Sequence, residues 1–328
     1  MASRDKRIFI AGAGGMVGTS IVRHLSADGY QNLLTPLSSE VDQTDQHQVT
    51  SFFREASPEI VILAAAKVGG ISANNSYPAD FIYRNLMIGA NVINSAFESG
   101  VEKLIYLSSS CAYPKVSPQP IREENLLAGS LEATNAPYAI TKIAGVKLCE
   151  SYFRQHGANF YSLTPTNLYG PNDNFDLESS HVIPALIRKF NEAKLRGSES
   201  VEIWGSGEPR REFMHVDDLA SAVVFALEQI EAADIFLQGV SHLNVGTGSD
   251  MTIRETAELI SEIVGFRREI VLDPSRPDGM MQKLLDVSRL NAFGWQHSIE
   301  IRTGLKKVYD WYAAAARNLE TEASATPR

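Results

Sequence analysis

The stretch "RIFIAGAGGMVGTSIVRHL", residues 7–25, constrains the fold more than any other part of the chain. Ile8, Phe9, Ile10 and Ala11 read as a buried strand. Val17, Ile21, Val22 and Leu25 then recur at helical spacing. Between strand and helix stand glycines at 12, 14, 15 and 18. A plain helix-entry turn needs one glycine, not four. Glycines here give the tight turn, let the backbone approach a pyrophosphate, and let helix pack on strand. The helix N-terminus then receives the anion. The spacing 12, 15, 18 is G-x-x-G-x-x-G; the commoner G-x-G-x-x-G is broken by Val17. Gly12, Gly15, Met16, Val17 and Gly18 are therefore candidate dinucleotide contacts.

The alternation continues downstream. "EIVILAAA" (59–66) and "KLIYLSSS" (103–110) read as buried strands, and 79–100 as a long helix ending at Gly100. A second strand is expected to end near residues 35–38. Strands alternating with helices predict a parallel sheet covered on both faces. The fold class is α/β, a Rossmann-like doubly wound parallel sheet with a smaller C-terminal substrate domain. The chain has 328 residues, more than one compact core usually needs, and the pattern loosens after about residue 170. We expect a cofactor domain over 1–170, with segments around 212–248 returning to it. A substrate domain over 171–320 is interleaved with it, and 321–328 form a disordered tail. Within the second part "GPNDNFDLESSH" is a loop and "VIPALIRKFNEAKLRG" a helix. "SVEIWGSGEPRREF" is a strand with a turn, and "HLNVGTG" another strand. "HVDDLASAVVFALEQI" is a helix with Asp217 and Asp218 near its N-terminus. "TIRETAELISEIVG" opens with a capping box from Thr252 to Glu255.

A net charge of −9 argues against nucleic-acid or acidic-membrane partners. No run approaches the ~18 apolar residues of a membrane span, and no apolar leader follows "MASRDKR". Cys111 and Cys149 make neither a disulfide framework nor a zinc site, so no metal is expected. The expected compartment is the cytoplasm, with both thiols reduced. Where an NAD enzyme often has a carboxylate for the ribose 2′-hydroxyl, the chain has Ser38 and Ser39. Glu40 and Asp42 stand close enough to leave the cofactor open.

"PYAITK" places Tyr138 and Lys142 four apart, on one face of a helix whose first turn suits Pro137. A free phenol of pKa ~10 is a weak acid–base group at neutral pH. A neighbouring ammonium is expected to lower that value and make it a usable proton donor to a carbonyl receiving hydride. A serine hydroxyl from 108–110 can hold the same oxygen. Cys149, among apolar residues in mid-helix, reads as structural, and His215 as a packing or capping residue.

With "AGAGGMVG", "LAAAKVGGISANNSYPADF", "SSSCAYP", "PYAITKIAGVKLCESY", "PTNLYGPNDNF", "SHVIPAL", "WGSGEPRREFMHVDDLA", "NVGTG" and "PDGMMQKLLDVSRL", the chain resembles the extended short-chain dehydrogenase/reductase family over residues 8–290. Within it, it is most similar to enzymes that epimerise and then reduce a GDP-linked 4-keto-6-deoxy sugar. The resemblance implies NADP(H) as cofactor, a GDP-sugar substrate and a homodimer packed through long helices. It implies a reductase triad of Ser109, Tyr138 and Lys142, with Ser108 and Ser110 in support. It implies Cys111 and His181 as base and acid for epimerisation. Ser38, Ala64, Ala65, Leu107, Ser108, Pro165, Asn167, Leu168 and His181 would join Tyr138 and Lys142 around the cofactor. Ser109, Asn167, Lys189, Trp204, Arg211, Asp278 and Lys283 would lie around the sugar nucleotide. Some relatives carry basic residues where this chain has Gly14 and Ser38.

The chemistry suits those residues. The C4 carbonyl acidifies the protons at C3 and C5, and inversion needs a base on one face and an acid on the other. A thiol of pKa ~8.5 and an imidazole of ~6.5 serve near neutral pH. Tyr138 and Ser109 would polarise the C4 oxygen in enolisation and in reduction alike. The expected reaction converts GDP-4-keto-6-deoxy-D-mannose to GDP-L-fucose with NADPH. The alternatives are GDP-L-colitose formation from a 3,6-dideoxy sugar, a plain nucleotide-sugar epimerase or dehydratase, and an NADP(H)-sensing Rossmann protein. The plain epimerase or dehydratase would not need the Cys111–His181 pair, and the sensor would not need the intact Ser109, Tyr138 and Lys142.

Overall fold

The structure, a computed structural model, describes residues 3–276 and 278–325. Its first half runs β1 (Ile8–Ala11), α1 (Met16–Ala27), β2 (Leu33–Leu34), α2 (Gln46–Ala56), β3 (Ile60–Leu63), α3 (Ile71–Ser76), α4 (Pro78–Glu98), β4 (Lys103–Leu107), α5 (Ala136–His156) and β5 (Phe160–Pro165). Then come β6 (Asn167–Tyr169), α6 (Val182–Arg196), β7 (Ser200–Trp204), β8 (Arg210–His215), α7 (Val216–Gln229), α8 (Ala232–Phe236) and β9 (Leu243–Val245). The chain closes with β10 (Asp250–Thr252), α9 (Ile253–Val264), β11 (Glu269–Asp273), β12 (Gln282–Lys283), α10 (Ser288–Phe293) and α11 (Ile301–Ala325).

Six parallel strands form the main sheet in the order β2–β1–β3–β4–β5–β9. β1, β3 and β4 are buried along their whole length, because helices cover both faces. Ile21 and Leu25 of α1 and Leu219 and Val223 of α7 pack on one face. Val49 and Phe53 of α2, Val92 and Ala96 of α4, and Val146 and Cys149 of α5 pack on the other. The order reverses at β1, whose neighbours β2 and β3 lie on opposite sides. In such sheets the ligand crevice lies beyond the carboxyl ends of the strands at that reversal.

After β6 the chain builds a second core around Phe190, Ile260 and Leu305 of α6, α9 and α11. α7 and β9 then return to the main sheet. β8 pairs with β10 antiparallel and with β12 and β6 in parallel, while β7 pairs with β11. Gly100 follows α4 with φ +72°, and Thr252 and Glu255 exchange both bonds of the capping box. Asp218, inside the first turn of α7, accepts from the N–H groups of Ser298 and Ile299 and so ties the approach to α11 to the main sheet.

Three expectations are corrected. β2 stops at Leu34, before 35–38, since Pro36 has no N–H to extend the ladder. The stretch 200–213 is not one strand with a turn but two strands in different sheets. Gly205 and Gly207, with φ of +87° and +78°, turn the chain from one to the other. The segment expected to be a disordered tail is helical as far as Ala325. Alanine and glutamate there favour helix, and extending a helix costs far less than starting one. Residues 326–328 lie outside the described residues. Among the described residues no helix is long and apolar enough to cross a membrane.

Gly145 in α5 sits against β4: a Cβ there would lie 2.2 Å from the Tyr106 ring, which is itself buried and held. Alanine favours helix over glycine by about 1 kcal/mol. Overpacking of about 1–3 kcal/mol opposes it, and at this distance the clash dominates. Gly145→Ala is expected to lower the urea midpoint without changing its slope; a stabilised variant would mean that the α5–β4 contact yields.

Candidate active site

The glycine turn is built for close approach. Gly12 has φ +85°, and a Cβ on it would lie 2.7 Å from the Ala65 backbone just beyond β3. A Cβ on Gly18 would lie 2.1 Å from the Gly12 carbonyl. Those two glycines weld turn, helix and neighbouring strand together. Gly14 meets nothing and Gly15 almost nothing, so they face open space. Gly15 begins α1 and no side chain caps that end. The first-turn N–H groups thus face the crevice, and the cradle fits a dinucleotide pyrophosphate. Ser38 is exposed beyond β2. Of the two nearby carboxylates, Glu40 accepts from the Leu37 N–H, and Asp42 accepts from the Thr44 N–H and hydroxyl. Both are committed to local turns, so neither is presented to a ribose 2′ position.

β4 ends at Leu107 and delivers the serines. Ser109 begins a short 3-10 turn, Ser110–Ala112, and its hydroxyl accepts from the Cys111 N–H at 3.2 Å. Lys142, one turn along α5 from Tyr138, is buried and donates to the Leu107 carbonyl at 2.8 Å. This bond fixes α5 against the end of β4. The ammonium lies 5.7 Å from the centre of the Tyr138 ring. Burial holds Lys142 down to about 8, with the Cys111 charge acting the other way. The expected lowering of Tyr138 is not what the site does. Burial pushes the phenol well above its ordinary value, the Cys111 charge adds to this, and the Ser109 hydroxyl only partly offsets it. Desolvation outweighs an ammonium that lies beside the ring. Tyr138 is therefore a neutral phenol, the form that can give a proton.

Cys111 is partly exposed to the cleft. The Lys283 ammonium donates to its sulfur at 3.7 Å. His181 begins α6 without capping it, so its ring is free for other work. It is open to the cleft yet surrounded by protein, and burial with the nearby Lys283 charge holds it below its ordinary value. Its backbone is set by the loop after β3. The Gly70 N–H donates to the Ser179 carbonyl at 2.8 Å, and a Cβ on Gly70 would lie 2.6 Å from the Ser180 carbonyl.

A second cluster surrounds Trp204, half exposed at the end of β7. Lys189 lies 5.2 Å and Arg276 4.8 Å from its ring centre. Lys189 also donates to the Glu202 carbonyl. Arg211 donates to the Asp278 carbonyl at 3.4 Å. The Asp278 carboxylate is committed to Ser206, accepting from its N–H and hydroxyl at 2.7 and 2.9 Å. It shapes the loop beside Trp204. Asn167 likewise spends its side-chain N–H on the Glu212 carbonyl. Ala64 and Ala65 follow β3, while Pro165 and Leu168 stand where the chain passes from β5 to β6.

Residues 8–246 match the NAD dependent epimerase/dehydratase family. The chain belongs to this family. It is 54% identical over 312 residues to GDP-L-fucose synthase 1 of Arabidopsis thaliana, covering 95% of this chain and 94% of that protein. It is 51% identical over 311 residues to GDP-L-fucose synthase of Escherichia coli, covering 94% and 96%. A GDP-mannoheptose C4 reductase from Campylobacter jejuni, solved with NADP bound, superposes with a TM-score of 0.89. That protein is 40% identical, with 95% of this chain and 100% of that chain covered.

Three contributors to this candidate site escape sequence reasoning: Arg276 on Trp204, Gly70 beside the Ser179–Ser180 backbone that leads into His181, and Glu212. The Glu212 carboxylate is buried and accepts from the N–H groups of Thr247, Gly248 and Leu285. An acidic residue in a strand with buried neighbours was the one available signal for Glu212; no local pattern marks the other two.

Lys142 gives a test with a defined sign. Its folded value near 8 lies below the ordinary 10.5. Between those values the unfolded chain binds a proton that the folded protein refuses. The contribution to stability is therefore full above about 10.5 and is lost as pH falls toward 8. Lys142→Met should gain on the parent as pH drops from 10 to 8, by about 2 kcal/mol. Urea unfolding of both proteins across that range reads the difference; parallel pH profiles would contradict the burial argument.

Proposed function

We infer that the chain is an NADP(H)-dependent 3,5-epimerase and 4-reductase that converts GDP-4-keto-6-deoxy-D-mannose to GDP-L-fucose. The observation that carries this reading is the company of Lys283. Its ammonium touches the Cys111 thiol and its charge acts on His181. A thiol and an imidazole thus share a cleft with Ser109, Tyr138 and Lys142. A reductase needs only the last three.

NADPH supplies the hydride for C4 and would lie with its pyrophosphate over Gly14, Gly15 and the first turn of α1. The local commitment of Glu40 and Asp42 favours NADPH over NADH. Tyr138 and Ser109 hold the C4 oxygen. While Cys111 and His181 move protons at C3 and C5, that oxygen carries enolate charge, and the neutral phenol stabilises it through its hydrogen bond. On reduction the same phenol gives its proton to the C4 oxygen. Lys142, held on the Leu107 carbonyl, keeps Tyr138 facing that point. Trp204, Lys189, Arg276 and Arg211 offer an aromatic face and cations to the GDP portion, in keeping with the affinity of guanidinium for phosphate.

Two relatives named for GDP-L-fucose stand at 54% and 51% identity, against 38% for a GDP-L-colitose synthase of Yersinia pseudotuberculosis, which favours the fucose product over a 3,6-dideoxy one. We place the enzyme in the cytoplasm, where the free thiols stay reduced. We assign it a homodimer through the outer faces of α4 and α5, which leave Tyr83, Leu86 and Ile140 exposed. Sedimentation at twice the chain mass is the expected result.

Incubation with the 4-keto GDP-sugar and NADPH or NADH, followed by NMR of the product, tests the activity. GDP-L-fucose, formed faster with NADPH, is expected; absence of turnover with any 4-keto GDP-sugar would leave only a sensor. Cys111→Ser should slow solvent deuterium exchange at C3 and C5 by about 10²–10⁴-fold in a folded protein. Tyr138→Phe should slow reduction by a similar factor while binding persists. Full exchange in Cys111→Ser would return the thiol to a packing role.

A further inference from the structure

Lys283 is an unusual lysine. It is 7% exposed, and among the described residues no carboxylate pairs with its ammonium. Buried lysines are rare unless paired. Its place is firmly specified. β12 lies parallel to β8 with Lys283 opposite Arg211, so the two side chains share a face. Two residues on, the Leu285 N–H is held by the buried Glu212 carboxylate. The strand therefore cannot slide, and the ammonium stays on the Cys111 sulfur at 3.7 Å.

We propose that Lys283 is a positioning residue for the acid–base chemistry, holding Cys111 toward its thiolate form. The inference rests on the reading of Cys111 as a proton-transfer group. A thiolate supplies the anion that this buried ammonium otherwise lacks. Other groups face Cys111 too. From α5 come the neutral Tyr138 phenol and the Lys142 ammonium; from β8 comes Arg211, whose charge is offset by Asp278. Among the described residues Lys283 is the one that makes a direct hydrogen bond to the sulfur. Its charge also reaches His181 at the start of α6. There it disfavours an imidazolium, making that imidazolium a stronger acid. One cation thus promotes proton loss from both partners: from the thiol before it acts as base, and from the imidazolium when it acts as acid. The GDP diphosphate does not need Lys283, since Lys189 and Arg276 supply cations around Trp204.

The test is the pH dependence of iodoacetamide labelling in the full-length protein without substrate. Cys149 is fully buried and pushed up to about 12, so labelling reports Cys111; Cys111→Ser should abolish it. Lys283→Met is expected to raise the labelling midpoint by about one pH unit or more. Labelling at pH 7 then falls about tenfold, and deuterium exchange at C3 and C5 falls with it. Lys283→Arg should restore the midpoint. Lys283→Gln serves the same purpose should the methionine variant fail to fold. An unchanged midpoint in a folded neutral variant, even with a raised KM, overturns the proposal and leaves Lys283 a substrate ligand. Parent-like exchange in Cys111→Ser instead defeats the acid–base reading of the thiol, whatever the labelling midpoint does.

Discussion

The candidate site depends on one buried carboxylate. Glu212 lies on β8 at the seam between the two cores, with no solvent exposure. Burial pushes its pKa up, and the N–H groups of Leu285, Gly248 and Thr247 pull it back. Those three donors come from different places. Thr247 and Gly248 follow β9, the last strand of the main sheet, and Leu285 follows β12 of the small sheet. One side chain therefore joins the cofactor half to the strand that carries Lys283. The fit allows no slack: a Cβ on Gly246 would lie 2.3 Å from a Glu212 oxygen. Removing such an acceptor strands buried N–H groups, which costs more than the bonds themselves contribute.

The far side of the cysteine turn is anchored by a comparable network. Tyr113, two residues after Cys111, donates to Asn244 at 2.5 Å and lies 2.7 Å from His242 Nε2. Asn244 in turn donates to the carbonyls of Ile121 and Asp286. His242 is fully buried and held down to about 3, so it stays neutral throughout the working pH range. Cys111 thus hangs between two fixed points, the Ser109 hydroxyl and the Tyr113 network. Both reach back to the ends of β4 and β9. The turn has little freedom, which suits the proton-transfer role proposed for the sulfur.

Local sequence made the first half legible because its constraints are local. A strand buried on both faces must be apolar throughout, a pyrophosphate turn must have glycine, and Tyr138 and Lys142 share a helix face. The residues brought to Cys111 from afar are different. Arg211 and Lys283 are 72 positions apart, and they meet because two two-residue stretches pair in parallel. Nothing in "MQKLLD" marks the two-residue strand Gln282–Lys283. Gly70 beside the Ser179–Ser180 backbone and Arg276 on Trp204 are also products of tertiary contact alone. The misreading of 200–213 has the same root. One strand and a glycine turn are all that the stretch shows locally, and the partners available elsewhere, β11 and β10, decide that it holds two strands in different sheets.

The chain is acidic overall, yet its cleft is cationic, and the cations divide by burial. Lys189 and Arg276 sit against a half-exposed tryptophan, where solvent screens them. Lys283 and Lys142 are buried, and there a charge acts at short range on its immediate neighbours. Lys142 is spent on a carbonyl, where it holds a helix in register with a strand end. Lys283 is spent on a sulfur. On the proposed roles, the same side chain grips at the rim and tunes at the floor. The difference comes from the depth at which each strand or helix presents it, a property of the two-core architecture rather than of net charge.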